Sequence, residues 1–301
     1  MTTSSFDIHQ DITNRIVAAI EAGAGDFKMP WHQAGSIAWP VNAKTNHQYR
    51  GVNVLVLWVT ALNSAYPTSE WATFKQWQER GAQVRKGEKG TPVVFYKDFS
   101  VASEDGSEER HIPFARASWV FNAAQVDGYA CETAVSSPMS EFIRLANVEA
   151  AISATQARID FGGAQAFYHR GEDRIQIPNA EDFTGSLTSS PRESFYSTIL
   201  HELTHWSGAV DRLDRVKGKK FADRAYCFEK LIAELGAAFL CGRLGITTSP
   251  RPDHAQYIAQ YLEVLRNDKK VIFAAAAASA AAAATDYILG FSQSLEREVV
   301  A

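Results

Sequence analysis

The chain is poor in sulfur. Its three cysteines, Cys131, Cys227 and Cys241, form an odd set without C-x-x-C spacing, which excludes a disulfide framework and suits a reducing compartment. It also lacks a long apolar run: Val52–Leu62 and Val271–Ala284 are too short, and the second too rich in alanine, to cross a bilayer. No basic start followed by an apolar stretch marks a signal peptide, so the expectation is a soluble cytoplasmic protein without a membrane partner. An excess of positive charge is absent as well. Thirty basic against 34 acidic residues leave a net charge of −4, so any nucleic-acid binding must come from a local patch. A chain of 301 residues has room for two domains.

The segment S-P-R-E-S-F-Y-S-T-I-L-H-E-L-T-H-W-S-G, residues 190–208, carries the clearest chemistry. Ser190 is a good helix N-cap, Pro191 suits the first helical position, and Glu193 closes a capping box. Gly208 stands where a helix turns into a left-handed final residue. Within those bounds His201 and His205 lie one turn apart, about 40° round the helix, so both imidazoles point toward one place. Glu202 sits beside them, placed to take a proton from water at a metal. This is the H-E-x-x-H signature of zinc hydrolases, with Zn²⁺ as the expected ion and another divalent metal such as Mn²⁺ as the alternative.

A catalytic zinc usually takes three protein ligands. Asp211 fits the spacing of metzincins, but those need a methionine turn downstream, and Met1, Met29 and Met139 all lie upstream. Glu229 and Glu234 remain, on a helix expected over Arg224–Leu244 and closed by Gly245. Five residues apart, they stand about 140° from one another, so one ion cannot face both. Glu229 shares a face with Ala233 and Gly236, whose small size allows close approach to the histidine helix. It is therefore the preferred ligand, with Glu234 as its alternative or as the group that orients a histidine.

The first half is less explicit. Helices are expected over Phe6–Ala22 and Leu55–Ala65, and a short one, capped by Thr68 or Ser69, holding Trp71, Phe74 and Trp77. A hairpin or meander is expected over 92–126. Between Lys75 and Lys97 six basic residues face two acidic ones, with glycines at 81, 87 and 90. Cations for phosphates beside flat rings for bases suit single-stranded nucleic acid. The same residues also make an ordinary solvated loop over a small tryptophan core, since residues 1–126 balance twelve basic against twelve acidic side chains. In the second half, Cys131–Ser140 reads as a linker and Glu141–Ala157 as a helix. Arg158–Gly163 reads as a strand, and 166–169 with 174–178 as a hairpin. Further helices are expected at Gln256–Leu265 and over the alanine-rich stretch 271–289.

The pieces P-W at 30–31, W-P-V-N at 39–42, Y-R-G-V-N at 49–53 and W-A-T-F-K-Q at 71–76 together resemble antirestriction proteins of the ArdC type. So do V-R-K-G-E-K-G at 84–90, F-N-A-A-Q-V-D-G at 121–128, H-E-L-T-H-W-S-G at 201–208 and E-K-L-I-A-E-L-G at 229–236. The resemblance implies an α+β chain with a mixed α/β domain for single-stranded DNA over 1–130, a linker over 131–140 and a zincin-like metallopeptidase domain over 141–301. It implies that Arg85, Lys86 and Lys89, with Lys75, Arg50, Trp31, Trp39 and Trp71, serve DNA. It favours Glu229 as the functional carboxylate, because Glu229-Lys230-Leu231 stands where the family reads E-E-L. It implies a role in protecting incoming plasmid DNA during conjugation, with an unidentified protein substrate, the host restriction machinery being the candidate. Two other readings belong to other classes: a non-catalytic DNA-coating protein with an idle metal site, and a direct inhibitor of restriction enzymes.

Overall fold

A computed structural model describes Asn14, Arg15, Ala18 and residues 39–101, 110–130, 141–185, 189–215, 224–246 and 272–300. Trp31, the helices expected over Phe6–Ala22 and Gln256–Leu265, and the linker at 131–140 fall mostly or wholly outside those residues. The fold mixes helices and strands throughout.

Helix α1 (Val52–Asn63) is buried almost all round, as its run of Val, Leu and Trp dictates. It lies against a four-stranded sheet built from β1 (Val41–Asn42), β2 (Glu70–Thr73), β4 (Thr91–Val101) and β5 (Arg110–Asn122) in the order β1-β2-β5-β4. The Asn53 amide clamps the two together, donating to Val94 O at 2.7 Å and accepting from Val94 N at 2.8 Å. Trp71 corrects the sequence reading: it lies in β2, opposite Asn122, not in a helix. The helix that follows, α2 (Phe74–Glu79), is capped by Thr73, whose hydroxyl and Gln76 form the capping box. Packing of the Trp71 ring into the core outweighs the weak helical pattern of so short a segment. Short strands β3 (Gln83–Val84) and β6 (Val126–Asp127) pair beside this sheet.

The second half starts with α3 (Glu141–Ala154) and a sheet ordered β7-β9-β8, made of β7 (Arg158–Phe161), β8 (Phe167–His169) and β9 (Arg174–Ile177). Strand β8 pairs antiparallel with β9 only, so it forms an edge. Helices α4 (Pro191–Trp206), α5 (Arg224–Leu244) and α6 (Ile272–Val300) complete the set. Gly245, at φ 75°, ends α5 in the left-handed region, as the sequence suggested.

Two cores share helix α5. Leu231, Ile232, Leu235 and Phe239 pack with α1, Trp71, Val93 and Val120. Leu240 and Cys241 join α4, β9 and α3. The alanine run in α6 acquires a reason here. Ala277, Ala278 and Ala281 are fully buried in the first of these cores, where larger side chains would hold the helices apart. Arg50 forms an ion pair with Asp286 of α6, a further tie between the halves.

Candidate metal centre and nucleic-acid surface

Helix α4 forms where its sequence says it should. Ser190 Oγ accepts from Glu193 N at 3.2 Å, and Glu193 Oε2 accepts from Ser190 N at 3.0 Å. This cap fixes the start of the helix and hence which residues face inward. His201 and Glu202 are each 2 % exposed, and the two imidazole centroids lie 5.1 Å apart. Helix α5 approaches this face closely because Gly236 has no side chain: a Cβ there would sit 2.4 Å from Thr204 Cγ2 and 2.7 Å from its Oγ1.

That approach brings both glutamates to the histidines, one to each. His205 Nδ1 lies 3.2 Å from Glu229 Oε1, and His201 Nδ1 lies 3.5 Å from Glu234 Oε1. A carboxylate at Nδ1 keeps the proton there and leaves Nε2 with its lone pair, the arrangement of ligating histidines. The donor set therefore fits a divalent ion: two oriented imidazoles with a buried carboxylate, Glu202, next to them. Burial pushes the Glu229 carboxyl up, but hydrogen bonds and charge from His205 and Arg215 outweigh it and bring it down to about 2. Glu202, His205, Glu229, Tyr226 and Lys230 line one side of a cleft of about 220 Å³, and Tyr168 and Arg170 line the other. Asp211, by contrast, stands at the surface, its side chain 73 % exposed and paired with Arg212.

The sequence misassigned Gly208 and missed two arginines. Gly208 is not among the residues of positive φ; it leaves room, since a Cβ there would meet the Arg215 guanidinium at 2.7 Å. Arg215 in turn grips Glu229, through Nε to Oε2 at 3.1 Å and NH2 to Oε1 at 3.0 Å. Arg212 ties the edge of the cleft to the end of α4, donating to Trp206 O at 2.8 Å, to Tyr168 Oη at 3.1 Å and to Asp173 Oδ2 at 3.1 Å. Burial, with the hydrogen bond and charge of Asp173, pushes the Tyr168 hydroxyl up to about 12, so it keeps its proton at neutral pH. Basic residues within a few positions of an active helix, with a glycine between, were the available signal.

The residues expected to serve DNA separate into groups. Lys86 and Lys89 are exposed on the turn between β3 and β4. Lys75 is exposed on α2, 3.9 Å from Glu79. Arg85, its side chain 40% exposed, is engaged by its own fold. It donates to Ala124 O, to Val126 O at 3.4 Å and to Glu88 at 2.9 Å, and so holds its loop against the 3₁₀ turn Ala123–Gln125. Trp71 is 1 % exposed and offers no face for stacking. The Trp39 indole donates to Tyr49 O at 3.0 Å and sets its ring edge-on to Trp58 and Phe239. Burial of alternate strand residues accounts for the placement of Trp71, and packing against α1 and α5 for that of Trp39. Exposed rings among the described residues of the first half include Phe74 at 44 %, Phe95 at 42 % and Trp119 at 45 %. Phe74 and Phe121 border a hollow with Lys86 and Gly87, and Trp119 shares its strand face with Phe121.

A larger cleft of about 620 Å³ is lined by Asn42, Tyr49, Arg50, Gln76, Phe95 and neighbours on α6. Its polar groups are largely occupied within the fold. Asn42 Oδ1 accepts from Lys44 N and Thr45 N, and Asn42 Nδ2 donates to Gln76 at 3.2 Å. The W-P-V-N and Y-R-G-V-N segments thus build the first half.

Residues 6–121 match the N-terminal domain of the anti-restriction factor ArdC, and residues 146–278 match a zincin-like metallopeptidase family. The fold superposes on the metal-free crystal structure of the antirestriction protein ArdC from plasmid R388, with 33% identity and a TM-score of 0.76. That match covers 96% of this chain and 99% of the other. The chain belongs to the ArdC family of antirestriction proteins. An Mn(II)-bound crystal structure of the R388 protein matches with 31% identity and a TM-score of 0.73, over 95% of this chain and 98% of that one. Among other relatives, the uncharacterised protein y4eC of Sinorhizobium fredii (strain NBRC 101917 / NGR234) is 42% identical over 275 residues, 89% of this chain and 87% of that protein. The DNA primase TraC of Escherichia coli is 31% identical over 310 residues, 96% of this chain but 28% of the primase. Among the described residues of this ArdC-family chain, no helix is long and apolar enough to cross a membrane.

Proposed function

We propose that the protein is a metal-dependent peptidase joined to a single-strand DNA-binding region, and that it shields incoming plasmid DNA from restriction. The carrying observation is the pair His201, buried, and His205, 13% exposed, each with a carboxylate at Nδ1 and both beside buried Glu202. In this reading His201 and His205 hold the ion, and Glu229 is the third ligand with Glu234 orienting His201. Zinc is the expected ion; the Mn(II)-bound R388 relative supports a divalent ion of either kind. The ion would act as a Lewis acid toward a peptide carbonyl and make nearby water more acidic.

Glu202 then acts as general base toward that water and returns the proton to the departing amine nitrogen. Lys230 lines the same cleft and supplies a donor for a substrate carbonyl, while Tyr168, whose hydroxyl donates to Asp173 at 2.7 Å, shapes the cleft wall. The expected substrate is a protein, with the restriction machinery of the recipient cell as the candidate. Glu202→Gln preserves size and should retain the ion while lowering hydrolysis by about a hundredfold or more. Transfer of a plasmid encoding either form into restricting and non-restricting recipients tests the link to protection. If Glu202→Gln protects as well as the wild type, the protein works by coating DNA or by binding a restriction enzyme.

The DNA surface in this reading is the face carrying Lys86, Lys89, Phe74 and Trp119. Lys86→Ala and Lys89→Ala should each flatten the slope of log K against log salt by roughly 0.7 on single strands, whatever the sequence. Trp119→Ala should cost about 1–3 kcal/mol of affinity and leave that slope nearly unchanged. Trp71→Ala, a core change, should instead destabilise the fold by about 3–5 kcal/mol. Fluorescence titration at several salt concentrations, with thermal melts of each variant, separates the three behaviours. Equal affinity for duplex and single strands would refute the assignment.

A further inference from the structure

Arg215 makes more contacts than a surface arginine needs. Its side chain is 10% exposed and that of Glu229 is 7% exposed. Both Glu229 oxygens accept from it, and Oε1 also lies 3.2 Å from His205 Nδ1. The rest of the guanidinium is anchored to α4 and its end: NH1 donates to Ser207 Oγ at 2.9 Å, and NH2 donates to Thr204 O. Gly208 leaves the space that the group fills. The cradle thus belongs to the histidine helix, and Glu229 reaches into it from α5.

In this arrangement no three His, Cys, Asp or Glu donors among the described residues converge on one point. The carboxylate that the sequence favours as third ligand is turned toward a cation of the protein's own. We infer that Arg215 is the internal counter-ion of Glu229 and competes with the divalent ion for it, so that metal loading requires Glu229 to leave the guanidinium. This rests on the proposed metal centre and adds its regulation. The physical basis is charge. A buried carboxylate stripped of its partner is strongly destabilised, so a cation must always be at hand. An arginine serves in the metal-free protein, and a dication replaces it.

The test is Mn(II) affinity, measured by competition with a chromophoric chelator on the full chain, together with melting temperature with and without Mn(II). Arg215→Met should lower the melting temperature of the metal-free protein, bind Mn(II) about tenfold more tightly, or about 1.4 kcal/mol, and show a larger Mn(II)-induced rise in melting temperature. Arg215→Lys keeps the charge without the fork and should fall between. Gly208→Ala displaces the guanidinium without deleting it and should also tighten binding, which guards against an Arg215→Met protein too unstable to measure. In a Glu229→Gln background, Arg215→Met should change Mn(II) affinity little. Unchanged or weaker Mn(II) binding by folded Arg215→Met and Gly208→Ala would overturn the inference. Failure of the wild type itself to bind Mn(II) would instead overturn the metal centre.

Discussion

Replacing His205 with alanine should reduce divalent metal affinity by two to three orders of magnitude. Structural zinc sites with four ligands bind with about 10–16 kcal/mol, so each ligand is worth roughly 2.5–4 kcal/mol, and about 1.4 kcal/mol is one decade. His201→Ala should do the same. Each ring has its own place on α4, and His201 is held from behind by Glu234, so neither can swing to cover for the other. Glu229→Ala should also lower affinity, and Asp211→Ala, at the surface, should not. Elemental analysis after equilibrium dialysis reads all four. Retention of metal in Glu229→Ala would transfer the ligand role to Glu234.

The second large effect concerns the contact between α4 and α5. Gly236→Ala would place a methyl 2.4 Å from Thr204 Cγ2, and neither helix backbone can yield locally, since the clash lies between two cores. Overpacking of this kind costs about 1–3 kcal/mol. The functional loss should exceed the loss of stability, because moving α5 outward takes Glu229 and Glu234 from both histidines. Thr204→Ala removes the two closest atoms and leaves Cβ at 3.1 Å. The pair Gly236→Ala with Thr204→Ala should therefore recover metal affinity and most of the melting temperature. Absence of recovery would mean that Gly236 serves some purpose other than close approach.

The histidine helix was legible because its signals are local: a capping box, a proline at the first position and two histidines one turn apart all lie within sixteen residues. Helix α5 and its small face were legible for the same reason. Trp71 was not, since a ring in a four-residue strand is placed by its partners in β5 rather than by its neighbours in sequence. Two of the residues expected to serve DNA, Trp71 and Arg85, are likewise placed by distant partners. The sequence shows Arg85 only as a cation in a basic loop, and its hydrogen bonds to the carbonyls of Ala124 and Val126, some forty residues away, appear only in the folded chain. Arg215 carries no motif, and only the folded chain sets it against Glu229, fourteen residues on. The alanine run of α6 became readable once Ala277, Ala278 and Ala281 were seen facing α1 and α5. Its composition predicted a helix but not what the helix was for.

Catalysis by the Glu202 centre would show itself most plainly in new peptide N-termini. Purified protein loaded with Mn(II) or Zn(II), with and without single-stranded DNA, is incubated with a lysate of a restricting recipient strain, and the N-termini are sequenced by mass spectrometry. A small set of new N-termini that requires the metal and is missing with Glu202→Gln is expected. The same N-termini with wild type and Glu202→Gln, or none with metal-loaded protein under either condition, would contradict catalysis by this centre.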